Sequence, residues 1–413
     1  MGESHDSMDL TEIAERLDGQ SGSRYWRSLG ELADSPEFRA HLEDEFPSRR
    51  SLLNVDRRGF MRLMGASLAL AGLSGCRFLP QEKIVPYVDA PEQLVPGKPL
   101  WYASTALLDG YGLGVLVESH EGRPTKIEGN PEHPASLGAT DAITQAMVLD
   151  LYDPDRARTV TNAGRVSSWE AFAHALRELL QRPGARNTLR LRLLTGTITS
   201  PTLGEQIAAL KQRYTGFKWH QYDPITRDSV REGARLAFGE PHATVLDFSR
   251  ADTVVALDAD FLASVPGSVR YARDFMARRK SVGAGGDLES SRGKSIVVAG
   301  ERQPAALHAL CHAINHHLGN VGATVRYIRN PEVAPVDQHS SLRELVADMQ
   351  SGNVDVLIVA GVNPVYDAPA DLDFRAAMSR VPFRARLSTH FDETARESHW
   401  HVPEAHILEA WGD

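Results

Sequence analysis

Val356-Leu-Ile-Val-Ala-Gly-Val-Asn-Pro364 decides how this chain folds. Five apolar residues without a charge read as a strand covered on both faces, and Gly361 with Pro364 marks a tight turn into a new element. A second stretch has the same form: a strand-like run at 189–194 leads through Thr195-Gly196-Thr197-Ile198-Thr199 into a helix near Pro201. Outward from these two, apolar residues recur at helical spacing over 168–181, 202–214, 227–238, 269–279, 303–318 and 342–350. Strand-like runs at 217–222, 253–257, 296–299 and 383–388 alternate with them. Such alternation predicts an α/β fold with a doubly wound, mostly parallel sheet over 151–413. Ligands of open α/β sheets bind beyond the carboxyl ends of the strands, so the Gly196 and Gly361–Asn363–Pro364 turns are the places to examine. Both offer backbone amides, yet neither is a GxGxxG or a P-loop, and as isolated motifs they read first as tight turns.

Upstream the texture differs. Trp101-Tyr-Ala-Ser-Thr-Ala-Leu107, Gly114-Val-Leu-Val-Glu-Ser119 and Pro124-Thr-Lys-Ile-Glu-Gly-Asn-Pro131 are short strand-like pieces between glycine-rich turns, which predicts a small antiparallel subdomain over 101–150. A proline-rich tether occupies 77–100.

The N-terminal quarter reads as an export apparatus. Asp56-Arg57-Arg58-Gly59-Phe60-Met61-Arg62 precedes an uncharged run from Leu63 to Cys76. As a helix that run is roughly 21 Å long, short of the roughly 30 Å bilayer core, so it is a signal and not a span. Arg57, Arg58 and Phe60 carry the twin-arginine pattern. Leu73-Ser-Gly-Cys76 resembles a lipobox, which makes Cys76 the expected acylation site and places the mature chain on the periplasmic face of the inner membrane. The extension 1–55 contains two short amphipathic helical patterns, the second capped by Ser35 with Pro36 at its first position.

Composition bounds the chemistry. The 413 residues are 42% hydrophobic and 24% charged, an ordinary globular balance. Two cysteines, Cys76 and Cys311, cannot by themselves ligate an iron-sulfur cluster, a zinc ribbon or a CxxCH haem. A net charge of −9 without long basic runs argues against nucleic acid as a partner.

Lys126-Ile-Glu-Gly-Asn-Pro-Glu-His-Pro134, Leu151-Tyr-Asp-Pro-Asp-Arg156, Trp169-Glu-Ala-Phe172 and Gly361-Val-Asn-Pro364 occur in an order that resembles the molybdopterin oxidoreductase superfamily, over about 100–413. Where catalytic members of that family hold cluster cysteines, this chain has Trp101–Ala106 and Ser136–Asp141. Together with the twin-arginine leader and the cysteine at the lipobox, that departure is similar to the large periplasmic subunits of alternative complex III, a quinol-oxidising respiratory assembly. The resemblance implies a structural, cofactor-free subunit in which Gly129, Asn130, Pro131, Gly196, Gly361, Asn363 and Pro364 are vestiges of a cofactor site. It implies as partners quinol-oxidising integral membrane subunits, a multihaem cytochrome and an iron-sulfur domain, with clusters and haems held there. It also implies that the α/β domain is incomplete at Asp413. The alternative is a catalytic molybdenum-dependent reductase of the polysulfide or tetrathionate kind, whose GxNP turn would hold a real dinucleotide. A free lipoprotein that reuses the fold is a third reading.

Three further constellations have plainer readings. His312, His316 and His317 share a helix with Cys311; the first two have metal-ligand spacing but no distant partner, so they read as partly exposed helical histidines and Cys311 as a buried small hydrophobe. His399, His401 and His406 read as an interface surface. Arg270 to Lys280 reads as a solvated helix face. No GxSxG elbow occurs.

Overall fold

The computed structural model describes Val95 and residues 97–263, 265–279 and 288–410, which belong to one compact unit, Ala90–Asp413. The signal residues Arg57, Arg58 and Phe60, the lipidation site Cys76, the two leader helices and the Trp411-Gly-Asp413 end lie outside the described residues.

Fourteen strands follow in chain order among the described residues: β1 (Leu100–Leu108), β2 (Tyr111–His120), β3 (Arg123–Gly129), β4 (Thr161–Asn162), β5 (Arg165–Val166), β6 (Leu191–Thr195), β7 (Lys218–Gln221), β8 (His242–Leu246), β9 (Thr253–Leu257), β10 (Ser295–Ala299), β11 (Val325–Arg329), β12 (Val356–Ala360), β13 (Phe383–Ser388) and β14 (Trp400–Pro403). The first three form the antiparallel meander that the glycine turns predict. Asp109 (φ 49°) with Gly110 (φ 79°), and Glu121 (φ 53°) with Gly122 (φ 83°), are both left-handed pairs, as a two-residue hairpin turn requires. Alternation along the meander buries Ala106, Val115, Val117 and Ile127, and Met147 and Val148 of the helix Ala142–Leu151 cover them.

The large sheet has the order β5-β4-β14-β13-β12-β6-β7. The five strands from β14 to β7 are parallel, and the two short strands at the opposite edge, β4 and β5, are antiparallel additions. Both faces are covered, as the charge-free β12 sequence anticipates. Leu357 and Val359 turn to a core with Leu342, Leu345 and Met349 of the helix Gln338–Gln350. Val356 and Ile358 turn to the opposite core with Ile207, Leu176 and Leu180 from the helices Pro201–Arg213 and Trp169–Leu180. Leu357 has no accessible surface, and burying a leucine fully contributes about 1.5–3 kcal/mol.

One expectation needs correction. The runs at 253–257 and 296–299 are strands, but they pair in parallel only with each other, as β9 and β10, and do not join the large sheet. Beside that pair, β8 and β11 form an antiparallel pair that the sequence reading missed. Between β7 and β12 the chain thus builds separate layers around Phe248, Phe261, Tyr271 and Ile296. The residues of β9 are only partly buried, unlike those of β12, which marks a strand covered less completely than a central one.

Candidate functional site

The carboxyl ends of β6, β7 and β12 bring the two predicted turns together. Gly196 lies close to both turns' neighbours: a Cβ there would stand 3.4 Å from Val362 Cγ1 and 2.5 Å from Asp223 Oδ1. After β6, the Thr197 amide donates to Asp223 Oδ2 at 3.0 Å, and the Thr197 hydroxyl donates to the same oxygen at 2.6 Å. Gln338 Nε2 donates to it as well, at 2.8 Å, while the Asp223 amide donates back to Gln338 Oε1 at 3.1 Å. The donor that a phosphate would use at this turn therefore already holds a carboxylate.

The second turn is closed in the same way. Gly361 (φ 74°) donates its amide to Leu387 O at 3.2 Å. Asn363 accepts at Oδ1 from the Thr394 hydroxyl (2.7 Å) and amide (3.2 Å), and its Nδ2 donates to Glu393 Oε2 at 2.8 Å. The Val365 amide donates to Thr394 Oγ1. Pro364 opens a single helical turn, Pro364–Asp367. Asp367 lies half-buried at its end, and burial pushes its carboxyl up to about 6.

Gly129, Asn130 and Pro131 sit apart, at the end of β3. Asn130 O accepts from the amides of His133 and Gly138 and from the fully buried Ser136 hydroxyl, and Asn130 Oδ1 accepts from the Glu132 amide. A Cβ at Gly129 would stand 2.2 Å from Ala139 O. This segment is a self-contained turn that ties the loop 130–139 to the meander. Asp141, which ends the cysteine-free Ser136–Asp141 stretch, caps the helix Ala142–Leu151 by accepting from the Thr144 amide at 2.8 Å.

A charged cluster missing from the sequence reading lies beside the Gly196 turn. The hairpin tip Asp109-Gly110 touches it, since Thr199 Oγ1 donates to Gly110 O at 2.6 Å. Tyr111 donates to Glu332 Oε1 (2.7 Å) and accepts from Arg227 Nη1 (3.1 Å), and its hydroxyl is pushed up to about 12, first by burial. Arg227 Nε lies 2.7 Å from Glu301 Oε1 without hydrogen-bond alignment. Burial raises the carboxyls of Asp109 and Glu301; the Asp223 charge adds to the rise at Asp109, and Asp109 adds to that at Glu301. Arg227 opposes the rise at both Asp109 and Glu301. The signal that could have found them is positional: Asp109 tips a hairpin and Asp223 and Glu301 follow strand ends.

These residues do not fit a phosphate-bearing dinucleotide. Its charges would need convergent donors and cations, whereas the amide at Thr197 and the side chain of Asn363 are already engaged by this chain's own groups and the surroundings are acidic. A separate cavity of about 500 Å³ lies past β14, lined by Leu151, Arg156, Arg158, Glu404 and Glu409 among others. Arg156 spans it to Glu409 Oε2 at 2.7 Å.

The histidine readings change. His312 is buried, its Nδ1 3.1 Å from the Tyr327 hydroxyl, and burial pushes it down to about 4; His316 and His317 are exposed. Cys311 is buried, as its apolar face predicts. His401 and His406 are buried as well, His401 Nε2 lying 3.1 Å from Ser388 Oγ, so they are not an interface surface. Parallel neighbours on one edge and Phe391 against its ring enclose His401 inside the sheet. Among the described residues no group of three or more His, Cys, Asp and Glu side chains could hold a metal ion.

No protein-family model matches this chain. Over 237 residues it is 28% identical to the menaquinone reductase, molybdopterin-binding-like subunit of Nitratidesulfovibrio vulgaris, a match that covers 54% of this chain and 33% of that protein. Its structure aligns with acetylene hydratase from Pelobacter acetylenicus at a TM-score of 0.52 and 10% identity, over 74% of this chain and 63% of that one. The chain therefore spans about a third of the length of the curated relative. The structural likeness shows the fold alone, and that fold is molybdopterin oxidoreductase-like: a small antiparallel sheet beside a large, mostly parallel one.

Proposed function

We propose that this chain is a structural, cofactor-free, molybdopterin oxidoreductase-like subunit of a quinol-linked respiratory membrane complex. One observation carries the cofactor-free reading: the Asp223 carboxylate holds the Thr197 amide at the strand end where a phosphate would be received. The pairing of Asn363 with Glu393 and Thr394 supports it. The respiratory setting is supported by the name of the relative, a menaquinone reductase subunit. Within that setting we assign the chain to alternative complex III, on the twin-arginine residues Arg57, Arg58 and Phe60 and the lipobox cysteine Cys76. It would be exported folded, anchored through Cys76 at the periplasmic face, and docked between quinol-oxidising membrane subunits, a multihaem cytochrome and an iron-sulfur domain. Its work is to set distances between redox centres held by others.

Elemental analysis and acid oxidation of the purified chain test this. The expected result is no molybdenum, tungsten or iron and no pterin fluorescence. Stoichiometric metal with pterin would overturn it in favour of a catalytic reductase.

A further inference from the structure

Among the described residues the outer edge of β1 is open: β1 is the first strand of the order β1-β2-β3, and of these residues only those of β2 pair with it. The two-residue turn at Asp109-Gly110 is closed by Leu108 and Tyr111, and the pair closing such a turn is a hydrogen-bonded one. Pairing then alternates down the hairpin. Leu108, Ala106, Ser104, Tyr102 and Leu100 bond to β2, while Leu107, Thr105, Ala103 and Trp101 point their N–H and C=O groups away from it. None of those outward groups has a partner among the described residues.

Edge strands are ordinarily blunted by a charge, a proline, a bulge or a cover. β1 has none of these among the described residues. Its nine residues, Leu-Trp-Tyr-Ala-Ser-Thr-Ala-Leu-Leu, carry no charge and no proline, and the meander's one register shift lies on the far side, at Glu118/Ser119. Large apolar groups stand exposed along it: Trp101 at 47%, Tyr102 at 55% and Leu107 at 48%.

We propose that β1 pairs antiparallel with β1 of a second copy of this chain, joining two meanders into one continuous six-stranded sheet. The strand is self-complementary about Ser104. A twofold axis there sets Ala103 against the second copy's Thr105 and Trp101 against its Leu107, which are all outward-directed residues, so every free N–H and C=O along the edge gains a partner. The same register brings Trp101 onto the second copy's Leu107 on one face and Tyr102 beside its Ala106 on the other. No like charges meet, because the strand has no charges. This inference is independent of the proposed respiratory role.

The test uses the full chain carrying Cys76→Ser, so that neither an acyl chain nor that thiol can join copies. Light scattering at micromolar concentration should show a dimer. Thr105→Pro removes an outward N–H that β2 does not use, so the hairpin survives; the dimer dissociation constant should rise by at least about tenfold. Ser104→Cys places two thiols across a non-hydrogen-bonded pair, where Cα atoms stand about 4.5 Å apart, within the disulfide range. Mild oxidation should then yield a covalent dimer that the Cys76→Ser chain, with only the buried Cys311, does not form. A monomer in the Cys76→Ser chain, a dimer undiminished by Thr105→Pro, or no cross-link in the Ser104→Cys variant would each overturn the proposal. Pairing of this edge only with a strand of a different protein would appear as the first of these.

Discussion

Asp223 Oδ2 receives the Thr197 amide at 3.0 Å, so a carboxylate of this chain stands where the end of β6 would offer an N–H to an incoming anion. Twenty-six residues separate the two in sequence, and the fold joins them by pairing β6 with β7. The site is closed from within by the geometry that in an open sheet would receive a ligand.

Asp223→Ala should destabilise the chain by about 2–4 kcal/mol, because it leaves the Thr197 amide and hydroxyl and Gln338 Nε2 without their acceptor. Asp223→Asn should cost about 1 kcal/mol, since all three donors meet Oδ2 and the amide oxygen can take that place. Urea unfolding of both variants checks the order. Equal losses would mean that charge, and not the acceptor at Oδ2, is what the turn needs.

The turns themselves were legible in sequence because glycine and proline punctuate uncharged apolar runs, as at Gly361 and Pro364. Their occupants were not. Glu393 lies 30 residues beyond Asn363, and nothing local in either segment announces that they meet. The same limit explains β9 and β10: period and composition identified two strands, but which strands neighbour them depends on the packing of Phe248, Phe261 and Tyr271. At His401 the period of two correctly implied a strand. Which face of that strand met solvent depended on Ser388 and Phe391, which come from the preceding, neighbouring strand β13 and the loop after it.

Cys76 should be acylated. Mass spectrometry of the mature N-terminal peptide should find a lipid-modified cysteine at that position, and Cys76→Ala should release the protein or block its processing. An unmodified N-terminus at another residue would remove the anchor from the proposed placement.

Glu332 is buried and takes both Arg231 Nη1, at 3.0 and 3.1 Å, and the Tyr111 hydroxyl. Glu332→Ala would leave Arg231 with Asp228 as its remaining carboxylate partner and should cost about 3 kcal/mol in thermal or urea unfolding. Adding Arg231→Met should recover part of that loss, since a buried cation that has lost one of its two carboxylate partners is costlier than an apolar replacement. A double variant less stable than the sum of the single ones would show that the pair acts otherwise.

Asp367 gives the chain a pH dependence of defined sign. Burial is the main cause that lifts its carboxyl from 3.8 to about 6, with Asp392 adding to the rise; backbone amides and Arg386 oppose it without cancelling it. One carboxylate oxygen, Oδ1, is buried with no hydrogen-bond partner among the described residues. Above about pH 6 the group is ionised in both folded and unfolded chains, and the folded chain bears the desolvation penalty. As pH falls from about 6 towards 3.8 the folded chain takes up the proton first, so the penalty fades and this residue's contribution moves towards stability. The full effect is no more than about 3 kcal/mol, less after solvent screening. Asp367→Asn removes the charge at nearly constant shape and should unfold at higher urea than the parent at neutral pH. The advantage should shrink through the same window, and a gap that stays constant with pH would exclude Asp367 as its source.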